Sequence, residues 1–222
     1  MFVVLTPAFQ VFWWSTIGLF VVSFLIVAIY RLPVEGESVN KPRRSRCPSC
    51  KNELGWRENL PVISWLLQRG ACRNCGWRIP MRYPLVEVLT AFLWFLAATA
   101  TMPGAYDLVA VRVLVLSGLV VATFVDFDCF EIPDEVSIGG MILAPLLSFL
   151  VPELHASTWI AQAASDVAPG AALPVDRFGA LVGSLAGLAV GWSILYAIGW
   201  VGSKIYGIEA LGFGDVKLLA AG

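Results

Sequence analysis

Ala8 to Tyr30 is a run of 23 residues without one charged side chain. Roughly 18 apolar residues are enough to cross a bilayer as a helix, and several later stretches approach or exceed that length. Hydrophobic residues make up 58% of the 222, charged residues 14%, and the mean hydropathy is +0.77. One soluble core cannot bury that much apolar surface, so a soluble globular class is excluded. Lipid offers no partner to a free backbone N–H or C=O, which makes the spans helical.

The sequence predicts an all-α polytopic membrane protein, a helical bundle of about six spans. They run about Ala8–Tyr30, Pro84–Thr101, Asp107–Val125, Glu135–Val151 and Phe178–Val201, with a sixth starting near Asp215 and incomplete. No Lys or Arg precedes Arg31 and no small-residue cleavage site follows the first run, so that run is expected to be a retained span rather than a signal peptide. Three regions follow: a first span over 1–30, a loop domain over 31–83, and a membrane domain over 84–222.

Charge sets the expected orientation. Of 15 Lys and Arg, 11 lie between Arg31 and Arg82 against four Glu, giving that loop about +7. The positive-inside rule places it in the cytoplasm and the N-terminus outside. Counting through the spans puts 126–134 and 202–214 inside, and 152–176 outside as a loose loop. His155, the only histidine, reads there as an exposed loop residue rather than a metal ligand. Glycines at 179, 183, 187 and 191 form a stripe on one face of the fifth span, the pattern of close helix packing.

The basic loop holds Cys47-Pro-Ser-Cys50 and, after 21 further residues, Cys72-Arg-Asn-Cys75. Two such pairs fit a tetrahedral four-cysteine zinc site. Two disulfides or four unrelated thiols are the alternatives, and a cytosolic face, which keeps thiols reduced, argues against disulfides. Four sulfur ligands leave no open coordination position, so the zinc is expected to be structural. Cys129 falls outside this spacing and reads as a small apolar residue near a helix end.

Carboxylates at the edge of a span are functional candidates because they are costly there. Asp126, Asp128, Glu131, Asp134 and Glu135 follow the third span, and Asp215 opens the sixth. Asp134 is expected to cap the fourth span, and Asp128, Glu131 and Glu135 to be flanking acids. Asp126 and Asp215 each abut an apolar run. Brought together, two carboxylates share a proton, one serving as base and the other as acid. Gly212 and Gly214 would let the backbone turn tightly and a substrate strand approach Asp215. The residues alone leave both readings open, a catalytic dyad or acids that merely flank spans.

Taken together, these pieces resemble the prepilin peptidases, the membrane leader peptidase/N-methyltransferases of type IV pilus and type II secretion systems, which are GxGD aspartic proteases. The resemblance rests on RLP (31–33), CPSC, ENLPVISWLLQRGACRNC (58–75), RYPLVE (82–87), VDFDCFEIPDEV (125–136) and GFGDVKLLA (212–220). It implies that Asp126 and Asp215 are the catalytic pair, supported by Gly212 and Gly214. It also implies a prepilin or pseudopilin substrate whose basic leader is cut at the cytoplasmic face of a bacterial inner membrane. Methylation of the new N-terminus with S-adenosylmethionine is a further implication, resting on the resemblance alone. The lipid bilayer is the other expected partner, and no nucleic acid is. The first span reads VSFLIV (22–27) where the family has a GSFLNV-like stretch. Family members continue for about two more spans past GxGD, so the chain reads as truncated at its C-terminus. The alternative expectation is an inactive homologue whose zinc loop binds pilin-like proteins.

Overall fold

The computed structural model describes residues 7–34, 45–102, 104–155, 177–206 and 218. Among them the chain is helical: α1 (Pro7–Arg31), α2 (Ile63–Leu67), α3 (Arg82–Thr99), α4 (Tyr106–Cys129), α5 (Asp134–Leu150) and α6 (Arg177–Tyr206), with short 3₁₀ turns at Trp56–Glu58 and Pro152–His155. The five spans expected before Asp215 are all helices. Three of them, in α1, α4 and α6, are long and apolar enough to cross a membrane. At 1.5 Å per residue the 24 residues of α4 reach about 36 Å, more than the roughly 30 Å of a hydrocarbon core. α3 and α5 are shorter, with 18 and 17 residues, and each carries charge near its start. The sixth expected span lies outside the described residues.

The chain divides into two compact units, Met1–Cys129 and Phe130–Gly222. In the first, α1, α3 and α4 pack on one another around Trp94, Ala97, Ala98, Val109 and Val113. Val11, Trp14, Ile17 and Val21 of α1 close over this core. Gly18 makes the approach possible, since a Cβ there would stand 3.0 Å from the Trp94 ring. The indole N–H of Trp94 donates to Ser117 Oγ at 3.1 Å, so the buried donor is satisfied. Apolar side chains also cover the outside: Phe12, Phe20 and Phe24 of α1 are exposed, as a lipid-facing helix requires.

The turn between α3 and α4 is tied by polar groups that lipid could not satisfy. The buried Gln10 side chain accepts from the Gly104 N–H at 3.0 Å. Arg112 donates to the Ala100 carbonyl at 3.1 Å and to Thr101 Oγ1 at 2.7 Å, so a cation sits on the C-terminal carbonyls of α3.

In the second unit α5 and α6 pack together. Pro133 takes the cap position of α5, which corrects the assignment of that role to Asp134. Asp134 instead stands in the first turn, where a carboxylate suits the positive end of the helix. His155 is half-buried in a 3₁₀ turn, with its ring 3.8 Å from where a Cβ of Gly183 would sit. It is therefore a packing residue and not an exposed one. Most of the segment expected to be a loose loop, 156–176, lies outside the described residues.

Candidate functional site

The two Cys-x-x-Cys segments fold into matching knuckles. In the first, the Lys51 N–H donates to the Cys47 carbonyl at 2.9 Å and the Cys47 N–H to Asn52 O at 3.0 Å. In the second, Gly76 N–H donates to Cys72 O at 2.9 Å and Cys72 N–H to Trp77 O at 2.8 Å. Each turn needs a left-handed residue straight after its second cysteine. Gly76 supplies it at φ +71° without strain, and Lys51 takes it at φ +57°. Isolated bridges Arg46–Glu53 and Ala71–Arg78 close the two ends.

The knuckles bring all four sulfurs within 4.8 Å of one another. Tetrahedral Zn–S bonds of about 2.3 Å would separate the sulfurs by about 3.8 Å, and Cys47 Sγ stands 3.8 Å from Cys75 Sγ. The donor set therefore fits one tetrahedral metal ion, and none of the cysteines is in a disulfide. Burial pushes the Cys47 thiol up to about 11. The Asn52 backbone N–H, followed by the Asn74 side-chain amide, draws Cys50 down to about 6. A backbone hydrogen bond at Cys75 lowers Cys72. Without metal the cluster thus holds thiols of unequal acidity, and a dication would displace the proton most firmly held, on Cys47.

The loop is fastened to the helices at two points. Asn59 Nδ2 donates to Ser23 Oγ of α1 at 2.9 Å, and the Val62 N–H donates to Glu87 Oε2 of α3 at 2.7 Å. Val62 sits at φ +59°, a strained conformation for a β-branched residue. The Glu87 carboxylate receives the N–H that this conformation presents. Between loop and helices lies a cavity of about 510 Å³, lined among others by Tyr30, Glu58, Trp65, Trp77, Tyr83 and Glu87. Neither Glu87 nor Val62 stood out in the sequence; both lie in motifs, but only folding brings them together.

α4 runs past Val125 to Cys129, one turn beyond the expected end of the span, so Asp126 and Asp128 belong to its last turn. Carboxylates are unfavourable at this negative end of a helix. Arg82, the first residue of α3, compensates. Its Nη1 pairs with Asp128 Oδ1, and its Nη2 donates to Phe124 O at 2.6 Å. Its guanidinium also lies 5.1 Å from the Phe124 ring centroid and 5.9 Å from that of Tyr30. Asp128 is thus held in an ion pair, and Asp126 is exposed. Among the described residues no hydrogen bond or ion pair engages the Asp126 carboxylate. Cys129 is the last residue of α4, at the helix end as expected, and is exposed. Asp215, Gly212 and Gly214 lie outside the described residues.

The sequence model of the bacterial peptidase A24 N-terminal domain matches residues 16–101, which hold most of α1, the cysteine loop and α3. Over 96% of its length the chain is 39% identical to a prepilin leader peptidase/N-methyltransferase of Myxococcus xanthus, covering 55% of that protein. It is 33% identical to the protein of the same name from Aeromonas hydrophila, covering 69% of it. For the one from Klebsiella pneumoniae the identity is 34% and the coverage 79%. The chain thus spans little more than half the length of the Myxococcus relative. No solved structure matches.

Proposed function

We propose that this chain, which belongs to the prepilin leader peptidase/N-methyltransferase family, is the peptidase-bearing part of an enzyme that cuts prepilin-like proteins and methylates the new N-terminus. In this reading Asp126 and Asp215 form the catalytic dyad. One carboxylate takes a proton from water as the oxygen attacks the scissile carbonyl carbon. The other, protonated, gives its proton to the carbonyl oxygen. The tetrahedral intermediate then breaks at the C–N bond as the first carboxyl passes the proton it took from water to the leaving amine, and the second takes a proton back from the hydroxyl that becomes the new carbonyl. Gly212 and Gly214 admit the substrate strand beside Asp215. The positive-inside rule supports a site at the cytoplasmic face, where the substrate's basic leader would stay, and the family resemblance supports the inner membrane.

The observation that carries this reading is the unequal state of the two aspartates in the last turn of α4. A general base must hold a carboxylate free to take a proton, and the Arg82 guanidinium paired with Asp128 Oδ1 favours the ionised form of Asp128 and makes it a poorer proton acceptor. Asp126 is exposed, and among the described residues no ion pair engages it. The test is leader removal in membranes, read by product mass. Asp126→Asn and Asp215→Asn are each expected to lower it by about a hundredfold or more; full cleavage by either variant removes that residue from the dyad.

The four cysteines would hold a structural zinc that braces the loop against α1 and α3. S-adenosylmethionine, when bound, would supply an electrophilic methyl group. The cavity between loop and helices suits such a ligand in size. Tyr30, Trp65 and Trp77 offer aromatic faces to a sulfonium cation, and Glu58 and Glu87 offer carboxylates that would orient the incoming amine. Glu87→Gln is expected to lower methylation while leaving cleavage intact; equal loss of both would place Glu87 outside methyl transfer.

A further inference from the structure

We infer that Arg82 is a positioning residue for the peptidase reaction, which sets the last turn of α4 so that the Asp126 carboxylate is held at a fixed place and orientation. The inference rests on the assignment of Asp126 to the catalytic pair. Arg82 grips α4 at Phe124 and Asp128, which are four residues apart and so lie one above the other on a single face. Asp126 is midway between them in sequence, turned about 200° round the helix from Phe124. The guanidinium therefore holds the back of the turn and leaves the Asp126 face open. A helix end otherwise frays, because its last carbonyls have no partner within the helix. Two carboxylates at the negative end of the dipole add to that tendency.

The grip is bidentate and stacked. A planar guanidinium with several donors can reach a carboxylate and a backbone carbonyl together while lying over the Phe124 and Tyr30 rings. Tyr30 in turn stacks on Tyr83, with centroids 5.0 Å apart, so the ends of α1, α3 and α4 meet at Arg82. Arg82 also follows directly on the cysteine loop, whose Trp65 indole donates to Ile79 O at 3.1 Å. Its backbone is thereby set by the loop's fold while its side chain sets α4.

The test compares Arg82→Gln, Arg82→Lys, Asp128→Asn and the Arg82→Gln/Asp128→Asn double variant in the intact membrane-embedded protein, with a prepilin-like substrate. Arg82→Gln and Asp128→Asn are each expected to lower kcat about ten- to a hundredfold with KM little changed, the signature of a misplaced catalytic group. The double variant should be no slower than the slower single one, because both remove one interaction. Arg82→Lys should recover part of the rate, since an ammonium keeps the charge but not the planar fork. Full kcat in both single variants, a change confined to KM, or multiplied losses in the double variant would overturn the inference. Asp128→Asn exchanges one oxygen for a nitrogen and carries the test should the Arg82 variants fail to accumulate. Asp126→Asn is run alongside. Cleavage by that variant would remove the assignment of Asp126 itself, whereas its inactivity together with full kcat in Arg82→Gln and Asp128→Asn would remove only the role of Arg82.

Discussion

The cysteine loop and the last turn of α4 are built in opposite ways. The loop gathers its four sulfurs from 29 consecutive residues, Cys47 to Cys75, through two knuckles that each close by local backbone hydrogen bonds. The turn at Asp126 is held instead by a residue 46 positions from Asp128, and the proposed second carboxylate lies 89 positions from Asp126. Local closure makes a site visible in the spacing of its residues. A site assembled by helix packing leaves only the chemical oddity of a charge beside an apolar run.

The largest expected effect is on the packing-dependent side. Asp126→Asn removes a group that moves a proton in the reaction, and cleavage should fall by about 10²–10⁴-fold, read as product mass per unit time. On the local side, Cys72→Ser or a strong chelator should release the metal and unfold the knuckles, because a four-sulfur site contributes directly to folding. Metal analysis and limited proteolysis between residues 45 and 80 would show this. If cleavage survives metal loss unchanged, the loop and the turn of α4 are independent, which separates the two regions further than Arg82 allows.

Smaller effects sharpen the contrast. Gly18→Leu would drive a side chain into the Trp94 ring and should destabilise the α1–α3 contact by about 1–3 kcal/mol, measured by denaturant unfolding in detergent. Smaller still is the difference between the knuckles themselves. Gly76→Ala should cost about 1–2 kcal/mol because its φ of +71° is left-handed, even though open space surrounds the new methyl group. Lys51→Gly should stabilise its knuckle by up to about 1 kcal/mol for the same reason. Metal affinity of the two variants would move in opposite directions.

Much of this was legible before folding. The apolar runs foretold helices, and the cysteine spacing foretold a metal-ligand cluster. Asp126 stood out because it ends an apolar run. Asp128 read as a flanking acid because its meaning depends on Arg82, and no periodicity links residues on two helices that pack side by side. The same holds for Glu87 and Val62: a carboxylate 25 positions away receives the N–H of a strained backbone. Asp134 misled for a different reason. Its residue type suits a cap, but the preceding proline already stands at that position and the helix starts one residue earlier than a cap at Asp134 would allow.

The most direct measurement is a side-by-side cleavage assay of Asp126→Asn and Asp128→Asn in membranes, with the released leader weighed by mass spectrometry. The two acids are neighbours on one helix turn and differ in whether an arginine holds them. Cleavage lost in Asp126→Asn and slowed but still measurable in Asp128→Asn is the predicted result. Cleavage retained by Asp126→Asn and abolished in Asp128→Asn would contradict the division of roles and make the paired acid the catalytic one.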